Sequence, residues 1–186
     1  MVTLNEIITA YLLGNKVVVL DKKKSNKLYF GAFYGKFYDV SKPKVPNIER
    51  ELELSYFDTL YLMEKGMLEV RNVEDRKLSF EELERIFSKH YENFKETYLV
   101  YKDLRERGFI VKSGMKFGTT FAVYKFGPGI DHAPFLVHVL PYGSRLDPIE
   151  IIRAGRLSHS VRKKFVIAYI NSKTGEVNYF VFKWLM

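Results

Sequence analysis

The 186-residue sequence has no cysteine, no glutamine and a single tryptophan. Without cysteine there can be no disulfide, no thiolate metal site and no cysteine nucleophile. The missing glutamine, beside abundant Lys, Glu and Arg, leans towards the composition of a thermophile's cytosolic proteins. Long hydrophobic runs are also missing. The longest unbroken aliphatic stretch is Val17–Leu20, well short of the roughly 20 residues that span a bilayer, so no membrane is expected as a partner. The opening residues show no basic region followed by an apolar core, as a secretory signal requires, and the expected location is cytoplasmic. What is present, 47% hydrophobic and 28% charged residues, suits a globular protein of one large domain or two small ones.

The net charge is +8, and it is unevenly placed. Residues 1–85 carry 14 Lys and Arg against 14 Asp and Glu, whereas residues 86–186 carry 16 against 8. A basic half joined to a neutral half points to a polyanion site in the C-terminal part, or to a merely solvated surface.

Local patterns predict the elements. Asn5–Leu13 reads as an amphipathic helix stopped by Gly14, Lys16–Leu20 and Leu28–Tyr34 as strands, and Asp21–Lys27 as a lysine-rich turn between them. Ser41–Asn47, with Pro43 and Pro46, is a loop. Glu51–Leu54 and Met67–Val70 are strands around a helix over Tyr56–Lys65 capped by Ser55, and Ser79 with Glu82 forms the capping box of a helix reaching about Ser88. Tyr91, Phe94, Tyr98, Tyr101 and Leu104 give a core-facing stripe to a helix over Tyr91–Arg107. Strands then dominate: Phe109–Lys112, Thr119–Lys125, Phe135–Leu140, Lys163–Ile170 and Val177–Trp184, with a helix opening at Asp147 and ending near Ser158. The fold class is therefore α/β (α+β). A small mixed N-terminal domain over residues 1–85 is followed by a C-terminal domain over 86–186 with a central mixed sheet flanked by helices.

Few constellations carry chemistry. The histidines are His90, His132, His138 and His159, and no pair has HxxxH spacing. No Asp/Glu-x-Lys pair of a metal-dependent nuclease occurs in the basic half. Phe126-Gly127-Pro128-Gly129 lacks the lysine and following helix of a phosphate loop, and no serine sits in a nucleophile-elbow context. What remains is acid–base chemistry with His, Tyr and Lys, without metal or cofactor. RNA cleavage needs little more: a base for the ribose 2′-OH, an acid for the leaving oxygen and a cation for the phosphorane.

Three motifs lie in order. Gly108-Phe109-Ile110-Val111-Lys112-Ser113-Gly114-Met115-Lys116-Phe117-Gly118 leads to Phe121-Ala122-Val123-Tyr124; His132-Ala133 follows; and His159-Ser160-Val161-Arg162-Lys163-Lys164 precedes a strand. Together they resemble the archaeal tRNA-splicing (tRNA-intron) endonucleases over about residues 105–170. The resemblance implies an endoribonuclease that removes introns from precursor tRNA at bulge–helix–bulge sites. Tyr124 would act as base, His132 as acid and Lys163 as transition-state cation, leaving 2′,3′-cyclic phosphate and 5′-hydroxyl ends. His suits an acid near neutral pH, whereas a tyrosine, with an unperturbed pKa of about 10, needs a cation nearby. Strand alternation alone leaves Lys163 and Lys164 open, since they face opposite sides; the family register selects Lys163. Tyr124 could equally be a core tyrosine at a strand end.

The resemblance also implies a clamp of two arginines on a bulged base. Arg156, seven residues before Lys163, matches the first. Lys183 and Trp184 stand where the second is expected. Arg162 and Lys164 are candidate phosphate contacts, and His138 and His159 read as structural. The apolar tail Val177–Met186 implies self-association through the C-terminal strand, as a homotetramer or with a structural subunit as α2β2. The loop Asn171–Glu176, which in the family carries acids into a partner's pocket, holds only Glu176 as an acid. The residues 1–85 become a scaffold and assembly domain. Alternatives are a non-catalytic RNA-binding or assembly subunit of the same complex, disfavoured by the intact trio, and a metal-dependent DNA nuclease with a related core, disfavoured by the scarcity of acids.

Overall fold

The computed structural model describes residues 6–40, 43, 45–145, 147–149, 151–152, 155–156 and 162–182. The chain divides into two compact units, residues 1–92 and 93–186. A boundary after residue 85 falls inside a helix, Phe80–His90, that belongs to the first unit. Moving it leaves the charge split intact: residues 93–186 carry 15 Lys and Arg against 7 Asp and Glu.

The first unit holds β1 (Ile8–Leu13), β2 (Lys16–Val19), α1 (Lys22–Ala32), β3 (Lys36–Phe37), β4 (Leu52–Leu54), α2 (Tyr56–Glu64), β5 (Leu68–Arg71), β6 (Lys77–Leu78) and α3 (Phe80–His90). Its sheet runs β3-β4-β2-β1-β5-β6. Two sequence expectations are corrected here. The predicted helix over Asn5–Leu13 is strand β1 over its described part. It pairs in parallel with β5 from Ile8↔Leu68 to Tyr11↔Arg71, and antiparallel with β2 through Leu13↔Lys16. Pairing on both sides outweighs the helical spacing of its apolar residues, and Gly14, at φ +62, opens a two-residue hairpin turn instead of ending a helix.

The second correction concerns Leu28–Tyr34, predicted as a strand after a lysine-rich turn. Most of it lies in α1, and Lys22, Lys23 and Lys24 form the first turn of that helix. Asp21 starts it by accepting the Lys24 N–H at 2.9 Å. Ser25, Leu28 and Tyr29, spaced three and four apart, face the core.

The helix starts read from capping residues match the structure. Ser55 with Asp58 and Ser79 with Glu82 form full capping boxes on α2 and α3. Asp58 does more than cap. It is 4% exposed and its carboxylate also accepts the Gly35 N–H at 3.1 Å, tying the turn before β3 to α2. Tyr56 and Phe87 stack at 4.2 Å between ring centroids, joining α2 to α3.

The second unit holds α4 (Phe94–Glu106), β7 (Ile110–Ser113), β8 (Phe121–Tyr124), β9 (Phe135–Leu140), β10 (Lys164–Ile170) and β11 (Val177–Phe182), with a 3-10 turn at Met115–Phe117. The sheet order is β11-β10-β9-β8-β7. All neighbours are antiparallel except β9 and β10, which are parallel. A parallel pair needs a crossover, and the described residues among 148–156 in that connection are helical. Asp147 starts this segment by accepting the Ile149 N–H at 2.8 Å. Its expected end near Ser158 lies outside the described residues.

Four of the five stripe residues, Phe94, Tyr98, Tyr101 and Leu104, are buried on α4. Tyr91 instead caps the C-terminus of α3, and Asn93, at φ +52, separates the two helices. On the edge strand β11, the Tyr179 hydroxyl donates to Asp103 at 2.5 Å, while Arg107 pairs with the same carboxylate at 2.6 Å and lies 5.6 Å from the Tyr179 ring centroid. Burial, then the hydrogen bond to Asp103, pushes the Tyr179 hydroxyl well above the ordinary tyrosine range.

Asp58→Ala removes the capping box and leaves the Gly35 N–H without its carboxylate partner. The expected loss is about 2 kcal/mol of unfolding free energy, read as a lower denaturation midpoint at unchanged m-value.

Candidate active site

Tyr124 ends β8 and is half-buried. Two structured loops set its surroundings. The first joins β7 to β8. Gly114 is required there, because an added Cβ would lie 2.7 Å from the Phe121 carbonyl carbon and 2.8 Å from the Thr119 carbonyl oxygen. That close approach closes the loop through Gly114 N–H to Thr120 O at 3.0 Å and Phe117 N–H to Gly114 O at 2.7 Å. Phe117 and Tyr124 then pack against one small cluster of Ala122, Ala133 and Leu136.

The second loop, residues 125–131, leads from Tyr124 to His132. Its organiser is Asp131, which the sequence reading did not single out. The Asp131 carboxylate accepts the N–H groups of Lys125 at 3.1 Å, Phe126 at 3.3 Å and Gly127 at 2.7 Å. The Gly127 carbonyl accepts from Ile130 and Asp131 at 3.1 and 3.0 Å. The signal was an acid after a Gly-Pro-Gly turn, a pattern that suits a carboxylate gathering successive N–H groups. His132 follows and is exposed, while Ala133 is 2% exposed.

Lys163 arrives from the other side. It directly precedes β10, whose first pair is Lys164↔Phe135. Its Nζ donates to the Ala133 carbonyl at 2.7 Å and lies 5.6 Å from the Phe117 ring centroid. The structure thus brings the three residues to Ala133 by different routes. Tyr124 packs on the cluster that contains it, His132 precedes it in the chain, and Lys163 hydrogen-bonds its carbonyl. Lys164 is exposed and its Nζ sits over the Phe135 ring at 5.9 Å.

Arg162 is exposed at φ +53, in the left-handed region that few non-glycine residues adopt, at the turn that delivers Lys163. Arg156 is helical and exposed. His138 is half-buried in β9, opposite Ile167. His159, Lys183 and Trp184 lie outside the described residues.

Tyr124 is held in its protonated form. Burial, then the negative charge of Asp131, raises its pKa above the ordinary tyrosine value. Among the described residues no group of three His, Asp or Glu side chains is placed to hold a metal ion.

Asp131→Ala frees three N–H groups at once. A charge-assisted hydrogen bond contributes about 1.5–3 kcal/mol, so amide exchange at Lys125–Gly127 is expected to quicken by roughly tenfold or more. Hydrogen-exchange mass spectrometry reads this directly, with the strand β9 amides as the unchanged internal control.

The family model for the tRNA intron endonuclease catalytic C-terminal domain matches residues 94–179, and that for the tRNA intron endonuclease N-terminal domain matches residues 8–84. A tRNA-splicing endonuclease of Hyperthermus butylicus is 46% identical over 178 residues, covering 96% of this chain and 98% of that protein. TRNA-splicing endonucleases of Saccharolobus islandicus and Saccharolobus solfataricus are 42% and 41% identical over 180 residues, covering 96% of this chain and 99% of each relative. No helix among the described residues is long and apolar enough to cross a membrane. With both domains matched in order and the likeness running along nearly all of its length, the chain belongs to the tRNA intron endonuclease family.

Proposed function

We propose that this endonuclease cuts precursor tRNA at bulge–helix–bulge sites by acid–base chemistry on three side chains. The observation that carries the reading is the Lys163 Nζ bond to the Ala133 carbonyl at 2.7 Å. It fixes a cation on the residue that follows His132 and that belongs to the cluster on which Tyr124 packs. Tyr124 takes the proton from the ribose 2′-OH, and the 2′-oxygen attacks the adjacent phosphorus. His132 gives a proton to the departing 5′-oxygen, and Lys163 stabilises the charge on the phosphorane. The bond from phosphorus to the 5′-oxygen breaks, which leaves a 2′,3′-cyclic phosphate and a 5′-hydroxyl. Because Tyr124 is protonated in the unbound protein, its work as a base draws on the positive charge of Lys163. Lys163 is preferred to Lys164 because Lys164 points to the Phe135 ring instead. Arg156, Arg162 and Lys164, all exposed, supply candidate RNA contacts.

The reading extends to assembly and to the division of labour between units. Phe180, Val181 and Phe182 on edge strand β11 are 58%, 47% and 38% exposed. An apolar edge of this kind suits pairing with another subunit, as a homotetramer or with a structural partner as α2β2. The neutral unit of residues 1–92 then serves as scaffold.

Incubation with a bulge–helix–bulge RNA in excess EDTA is expected to give cleavage with cyclic-phosphate ends, and native mass reads the assembly. Activity lost in EDTA and restored by magnesium would overturn the metal-independent mechanism. His132→Ala is expected to slow single turnover by roughly 10²–10⁴-fold while binding persists. The wild-type single-turnover rate is expected to climb with pH and then level off, because the chemistry needs a deprotonated base together with a protonated acid. Tyr124→Phe abolishes that climb along with most of the rate.

A further inference from the structure

The loop of residues 125–131 has a property that the acid–base chemistry does not use. Phe126 is 65% exposed. A single exposed aromatic on a loose loop would be ordinary surface. This loop is not loose. The Phe126 N–H is held by Asp131 at 3.3 Å, its neighbours Lys125 and Gly127 are held by the same carboxylate, and Gly127 O accepts two further N–H groups. The backbone is fixed on both sides of a ring that stands in solvent. A rigidly presented aromatic ring loses little freedom when something packs on it.

The surroundings select what that is. Phe126 follows Tyr124 by two positions, and Lys125, between them, is exposed. Arg162 and Lys164 are exposed on either side of Lys163. Residues 93–186 as a whole carry 15 basic against 7 acidic side chains. An exposed aromatic next to an exposed lysine, in the basic unit of the chain, suits a ligand that combines a flat base with a phosphate. An apolar protein surface would gain nothing from the charge.

We propose that Phe126 is a stacking platform for an unpaired nucleotide beside the cleaved bond, and that Lys125 contacts its phosphate. The proposal rests on the reading of this site as an RNA-cleaving one. It assigns the loop a part in choosing single-stranded over paired RNA, since a base inside a duplex cannot offer its face.

The test uses the full chain and a bulge–helix–bulge RNA blocked by 2′-deoxy substitution at the cleaved positions, with 2-aminopurine placed at each bulge position in turn. Wild-type protein is expected to quench the probe at one position. Phe126→Ala should abolish that quench and weaken binding by roughly 5- to 100-fold, the range that loss of one stacked base gives. Phe126→Trp should restore both, which a purely structural role would not require. Lys125→Ala should lower the slope of log Kd against log salt by about 0.7–0.9. Unchanged quench and affinity in Phe126→Ala would overturn the stacking, and an unchanged salt slope in Lys125→Ala would overturn the phosphate contact. A Phe126→Ala protein whose native mass changes instead would mark Phe126 as a subunit contact and overturn the proposal. Because the RNA is uncleavable, these readings stand whether or not the cleavable substrate is cut, so failure of the cleavage reading is seen separately.

Discussion

The parallel pairing of β9 with β10 is the constraint on which the candidate site depends. Ala133 and Lys163 are thirty residues apart in sequence, and nothing local would bring them together. The register Lys164↔Phe135, with Lys164 N–H bonded to Pro134 O at 2.9 Å, does so. It also separates two adjacent lysines. Lys163 makes a hydrogen bond from a charged donor, which is worth about 1.5–3 kcal/mol, whereas the exposed Lys164 has a ring contact worth about 0.5–1 kcal/mol. The first side chain is held and the second is loosely placed. A one-residue slip would exchange their faces, so the buried residues of β10, Phe165 to Ala168, help to hold Lys163 in place along with its own bond.

Around that constraint the site balances opposing charges. Asp131 closes its loop with three N–H bonds, and its negative charge also favours the neutral phenol of Tyr124. The proposed chemistry sets the cation of Lys163 against it. In the proposed chemistry the proton leaves Tyr124 only when the cation outweighs the carboxylate and the burial, which ties the base to the lysine that also serves the phosphorane. In that reading, geometry and reactivity share one set of residues.

Much of this was legible in the sequence where a short-range mechanism writes a clear signature. Ser55, Ser79 and Asp147 announced helix starts because capping uses residues within four positions of each other. The α4 stripe was legible because a helix face repeats. Ile8–Leu13 and Leu28–Ala32 were not, for opposite reasons. The first has helix-like spacing but is claimed by two neighbouring strands, and the second has aromatic, strand-like composition but follows the Asp21 cap. In both places a partner distant in sequence, or a single capping bond, outweighs local preference. The expectation of a Tyr124, His132 and Lys163 trio rests on motifs in order, while Asp131 is marked only by its place after a Gly-Pro-Gly turn, a faint signal beside them.

The contact of Tyr179 with Asp103 and Arg107 has a further meaning. Edge strands fray, because one side of their hydrogen bonding is open to water. Here β11 is fastened at mid-length to α4 by a phenol that donates into an ion pair. Opening the strand means breaking that network as well as the ladder to β10. For any chain that pairs along this edge, the entropy of ordering the strand has already been lost within one subunit. In the proposed assembly, association would be the docking of finished surfaces, limited by orientation and not by coupled folding, and dissociation would leave each subunit's sheet intact.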